Sequence, residues 1–178
     1  SIDLEANINR FAVLRDETRT SSTHLNDPLH TLDGQVSDFH STGWETVEAK
    51  LLFNELGFNG LTMVTGLKKE AYSLNLDIYR SLNYQQSEKT AFTGRSGGKT
   101  ELFSAYAQLN YQMNDQWDAS LGLRYEEFES SNGYYDDDRA DTAEFDLSRV
   151  PTRGANEYSP KFSVGYQPNE LWAFRYSA

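Results

Sequence analysis

The stretch Leu102–Tyr125, LFSAYAQLNYQMNDQWDASLGLRY, constrains the fold more than any other part of the chain. Phe103, Ala105, Ala107, Leu109 and Tyr111 alternate with Ser104, Tyr106, Gln108 and Asn110. After Asn114-Asp115, Trp117, Ala119, Leu121, Leu123 and Tyr125 alternate with Asp118, Ser120, Gly122 and Arg124. Successive side chains of a strand point to opposite faces, so this is a hairpin with one apolar and one polar face. Asn-Asp supplies the turn. With the turn centred on Asn114, Tyr111 and Trp117 are expected to oppose each other on the apolar face.

The pattern recurs. Tyr111-Gln-Met-Asn-Asp-Gln-Trp117 has a second copy in Tyr166-Gln-Pro-Asn-Glu-Leu-Trp172. Phe162, Val164 and Tyr166 alternate with Lys161, Ser163 and Gly165, and Trp172, Phe174 and Tyr176 with Ala173, Arg175 and Ser177. An aromatic pair beside each short turn is the expected form of an interfacial girdle at one rim of a membrane β-barrel, built here from Tyr111, Trp117, Tyr166 and Trp172.

Composition fits that reading. A formal charge of −11 argues against nucleic acid as a partner. The absence of cysteine excludes disulfides and thiolate metal sites. Mean hydropathy is −0.70 and no run reaches the eighteen or so apolar residues of a spanning helix. A barrel needs only short alternating bands, its loops and lumen being polar. Both ends fall inside alternating runs, so an internal segment of a longer barrel is expected.

Along the chain, 2–15 reads as a strand with Ile2, Leu4, Ala6 and Ile8 outward. Another covers 44–54 with Val47, Ala49, Leu51 and Phe53 outward. A third starts at Leu61, with Met63 and Leu67 outward, and its apolar residues carry it to about Tyr79, past the bilayer. Long polar connections are expected at 16–43, 80–99 and 126–156, and short ones near 55–60, 113–116 and 167–170. This strict alternation predicts an all-β chain of antiparallel up-and-down strands. About seven would form part of a large transmembrane β-barrel. Arg124, Lys161 and Arg175 fall on the lumen-facing side.

Three motifs in order carry a resemblance: Ala105-Tyr-Ala-Gln108; Trp117 followed by Leu121-Gly-Leu-Arg-Tyr-Glu126; and Ser159-Pro-Lys-Phe162 with Tyr166-Gln-Pro168. Together they resemble the barrel of TonB-dependent outer-membrane receptors, best over residues 100–178 and by hairpin rhythm alone over 1–99. The resemblance implies a barrel of about 22 strands closed by an N-terminal plug domain. It implies a bacterial outer-membrane location and uptake of a scarce nutrient, such as a ferric siderophore, energised through the TonB complex. The implied partners are the rest of the barrel, the plug, the TonB complex, outer-membrane lipid with lipopolysaccharide, and a small nutrient ligand. Two other classes remain open. A passive porin or structural barrel would have an open lumen and no plug. A soluble β-sandwich carbohydrate-binding module would bury Phe103, Leu109, Trp117 and Leu121 in a core of its own.

Candidate ligand-binding residues lie in the long connections: His24, His30 and His40 in the first, Tyr134 and Tyr135 in the third. Histidine spacings of six and ten match no compact metal motif, and solvated loop histidines are the plainer reading. Between Glu126 and Asp146 only Arg139 offsets a run of carboxylates. These lack the alternate spacing of a calcium loop, so no metal is expected there. Gly94–Thr100 lacks the spacing of a phosphate loop. No nucleophile elbow, zinc-binding HExxH or credible Ser-His-Asp set occurs, so neither enzymatic activity nor a cofactor is expected.

Overall fold

The computed structural model describes residues 1–23, 28–137 and 148–178. Its strands are β1 (Ile2–Ser21), β2 (Gly34–Asn54), β3 (Leu61–Ser81), β4 (Phe92–Gln112), β5 (Trp117–Asp137), β6 (Ser148–Val150), β7 (Arg153–Asn169) and β8 (Trp172–Ser177). All pairings are antiparallel between sequence neighbours, except that β7 joins β5 directly and short β6 pairs with the top of β5. The sheet is a single layer of up-and-down strands. Among the described residues, β1 and β8 each have one unpaired edge.

The strands are much longer than the alternation indicates. A transmembrane strand needs roughly 9–11 residues, whereas β2, β3, β4 and β5 each have 21. The expected connections 16–43 and 80–99 contract to 22–33 and 82–91, and the third is cut back from both sides by β5, β6 and β7. The cause is physical. Above a membrane both faces of a sheet are wet, so pairing continues while the apolar/polar alternation disappears. Gly94–Thr100, expected to precede a strand start at Thr100, lies wholly within β4.

The paired register sets out the exterior face row by row. Ile2–Phe53–Met63–Leu109–Leu121–Phe162 is one row, Leu4–Leu51–Thr65–Ala107–Leu123–Pro160 the next, then Ala6–Ala49–Leu67–Ala105–Tyr125–Tyr158. Charge enters immediately above, at Lys69 and Glu127, and one row further on at Arg10, Glu45, Glu101 and Glu129. The band is bounded by aromatics at both ends. At the turn end Trp117 stacks on Tyr166 at 4.3 Å, and at the far end Tyr125 meets Tyr158 at 5.0 Å. Tyr125 stands eight residues beyond Trp117. With a rise of about 3.3 Å per residue and a tilt near 40°, that spacing spans about 20 Å, close to the hydrocarbon thickness a barrel presents.

The expected opposition of Tyr111 and Trp117 does not occur. Tyr111 faces Ala119, and Trp117 faces Tyr166 on the other neighbour. The turn centres on Asp115, because Met113 N–H already donates to the Trp117 carbonyl. Asn114 Oδ1 then accepts from the backbone of Gln116 and Trp117 at 2.9 and 3.0 Å. Asn169 does the same for Leu171 and Trp172 at 2.9 and 3.1 Å. The repeated Asn is thus the device behind the repeated turn, and the second turn tightens to Glu170-Leu171.

Candidate functional site

The face opposite the apolar band carries charge at the very depth where the band is most apolar. Between the Leu4 and Ala6 rows runs Glu5–Lys50–Gly66–Tyr106–Arg124. Lys50 lies 3.5 Å from both Glu5 and Glu48, and Tyr106 Oη donates to Glu48 at 3.0 Å. Gly66 makes this possible: a Cβ there would stand 2.6 Å from the Tyr106 hydroxyl and 2.8 Å from the Ala49 carbonyl. Arg124 pairs with Glu126 at 2.7 Å and donates to Ser104 at 3.1 Å. Arg175 pairs with Asp118 at 2.9 Å, and Lys161 lies opposite Gly122 on the same face. Ionised groups at this depth cannot face lipid, so this face borders a hydrated lumen.

One step toward the long connections the lumenal face changes character. Phe11, Trp44 and Tyr72 occupy one row and Leu102 and Phe128 the row below. Phe11 stacks on Trp44 at 6.4 Å. Phe11, Trp44, Tyr72 and Phe128 remain 54, 45, 43 and 40% exposed. Trp44, Tyr72, Leu102 and Phe128 line a hollow of about 310 Å³ with Thr46, Thr100 and the Glu70 carboxylate, itself 3.0 Å from Lys68. Apolar aromatic surface left open on the wet side of a polar lumen is the arrangement of a binding shelf. Arg153, opposite Ser130 at the start of β7, extends the upper row with a cation.

This shelf escapes the sequence analysis. Phe11, Trp44, Tyr72 and Phe128 fall on the polar-face parity of their strands, where single apolar residues look like noise. The available signal was their phase: each is one position out of step with the lipid-facing run of its own strand.

The expected loop residues lie elsewhere. His24 is outside the described residues. Nδ1 of His30 is 3.0 Å from Thr23 Oγ1, and its ring meets buried Tyr84 edge-on. His40 is in β2 rather than a loop, opposite Arg15 and 3.9 Å from Asp77. Among the described residues no three His, Cys, Asp or Glu side chains group suitably for a metal. Tyr134 Oη donates to Asn75 at 3.0 Å while its ring covers Gly97, and Tyr135, opposite Ser96, is exposed. Asp138, Arg139, Asp141, Glu144 and Asp146 lie outside the described residues.

The connection 82–91 is clamped to the first two strands. Lys89 reaches Asp38 at 2.6 Å and Glu17 at 2.9 Å, with Tyr79 beneath it. Arg19 donates to the Gln85 carbonyl at 2.9 Å. Hydrogen bonding from Lys89, the largest cause, holds the Glu17 carboxyl at a pKa of about 2. Burial works against the Lys89 ammonium, yet hydrogen bonds to Asp38 and Glu17 raise it overall. Val36 of β2 is fully buried, and Tyr84 of this connection is buried as well.

A family model described as TonB dependent receptor-like, beta-barrel, matches residues 4–178. No curated protein matches the chain, and no solved structure does.

Proposed function

Because the chain belongs to the TonB dependent receptor-like β-barrel family, a family of bacterial outer-membrane receptors and transporters, we propose that it forms the nutrient-binding flank of such a receptor. In this reading the shelf of Phe11, Trp44, Tyr72, Leu102 and Phe128 receives the ligand above the polar lumen. Uptake is energised through the TonB complex, and the barrel binds and conducts without bond chemistry. The observation that carries the proposal is the exposed aromatic surface on the lumenal side, just above the ion-paired rows. A ferric siderophore is the ligand class it supports best: flat chelating groups stack on aromatic faces, and Arg153 offers a cation to an anionic chelate.

The test uses the full-length receptor in an iron-starved host lacking its own uptake systems. Growth on a supplied ferric siderophore should require TonB. Trp44→Ala and Tyr72→Ala should each weaken siderophore binding about threefold to tenfold, the worth of one stacking contact. A passive porin would instead show open-lumen conductance in a planar bilayer and TonB-independent flux. That pair of results would replace the present proposal.

A further inference from the structure

The aromatic shelf has an acidic corner. Thr46, Glu70, Leu102 and Phe128 form one register row, with Trp44 and Tyr72 in the row above. Glu70 therefore has Tyr72 two residues along its own strand and Trp44 on the diagonal, spacings of about 7 Å that long side chains bridge. These residues border the hollow of about 310 Å³, and no lysine or arginine does. Glu45 and Glu101 border it as well, although the register puts their side chains on the exterior face, where Glu101 lies 3.0 Å from Lys69. Lys68 reaches Glu70 from the row below, 3.0 Å from Oε1. No other described residue pairs with this carboxylate, which is 38% exposed. The ring faces are equally open. Among the described residues, the cations lying over aromatic rings are Lys89 at Tyr79 and Arg95 at Phe92, both outside the shelf.

An open carboxylate edge beside electron-rich ring faces stabilises a cation twice, through charge pairing and through the ring quadrupoles. The same corner repels an anion. A hollow of about 310 Å³ takes one arm of a chelate rather than the whole. Arg153, the cation at the shelf's edge, stands on β7, three strand spacings or about 14 Å from β3 and Glu70. We infer that the hollow binds a protonated amine of the ligand, so that the chelate taken up is one carrying a cationic arm. The inference rests on the shelf being the ligand site. The ammonium lies between the Glu70 carboxylate and the faces of Trp44 and Tyr72, and the oxygen-rich iron centre lies farther along the shelf, toward Arg153. An alkyl amine titrates near a pH of about 10 and is charged at neutral pH.

The experiment measures binding to the detergent-purified full-length receptor by quenching of its tryptophan fluorescence. The probes are the ferric complex of a linear hydroxamate chelator ending in a primary amine, and the same complex with that amine acetylated. Wild type should hold the amine form about tenfold more tightly. Glu70→Gln should bring the two forms close to equal affinity. Lys68→Met, which removes the competing ammonium, should widen the preference, and Glu101→Gln, on the exterior face, should keep it. Heat-modifiable gel migration reports whether each variant retains a folded barrel. Equal affinity of wild type for the two forms, or an undiminished preference in folded Glu70→Gln, overturns the inference and leaves the shelf as the ligand site. Binding of both forms that survives Trp44→Ala and Tyr72→Ala unweakened overturns the shelf reading and this inference with it.

Discussion

A glycine and a carboxylate show how much single residues set here. Gly66 is where β3 lets the Tyr106 ring lie flat across it, so that the hydroxyl reaches Glu48. Gly66→Ala is expected to push that ring aside and destabilise the barrel by about 1–3 kcal/mol, the usual cost of overpacking. Thermal unfolding of wild type and variant checks it, and Tyr106→Phe should cost less, because it removes only the hydroxyl bonded to Glu48 and leaves the ring over Gly66. Glu17 gives a pH dependence of known sign. Its carboxyl titrates near 2 when folded, against an ordinary 4.5. The clamp on 82–91 therefore contributes fully above about pH 4.5 and is lost as pH falls toward 2. Hydrogen exchange at 82–91, corrected for its intrinsic pH dependence, should stay constant from pH 7 to 5 and rise below 4. Glu17→Gln should reproduce the loosened state at neutral pH.

Among the elements, what the sequence discloses is decided by the surroundings of each strand. Within the band one face meets lipid and the other water, so Trp117–Tyr125 and 161–166 alternate cleanly and their faces can be assigned from residue types alone. Above the band both faces are wet, and nothing in 16–21 or 34–43 distinguishes a strand from a loop until pairing is seen. The turn register depends on one Asn side chain capping two backbone amides, which composition does not reveal. The shelf stayed hidden because its aromatics are scattered over four strands and only the pairing aligns them. Face assignment makes a prediction at this scale. Leu121→Arg, at the band's centre on β5, should cost about 2–4 kcal/mol, whereas Gln108→Arg on the lumenal side should cost far less. Denaturant-induced unfolding in lipid vesicles would expose the asymmetry, and a larger cost at Gln108 than at Leu121 would mean the faces are assigned the wrong way round.

As a whole molecule, the described sheet buries almost nothing between layers: Val36 and Tyr84 are its only buried hydrophobic residues. Stability must come from backbone pairing, lipid against one face, and neighbours along the edges of β1 and β8. Residues 1–178 produced alone in plain buffer are accordingly expected to associate rather than remain monomeric. Analytical ultracentrifugation showing a monodisperse monomer, with cooperative unfolding, would refute this. Strand length has a different consequence. Strands of 21 residues leave roughly ten beyond the band, a paired wall rising about 25 Å from the bilayer surface. The connections at its rim are therefore carried like fittings on a parapet. Their sequences can drift or lengthen with little disturbance to the stiff masonry below, which holds the rim at constant height.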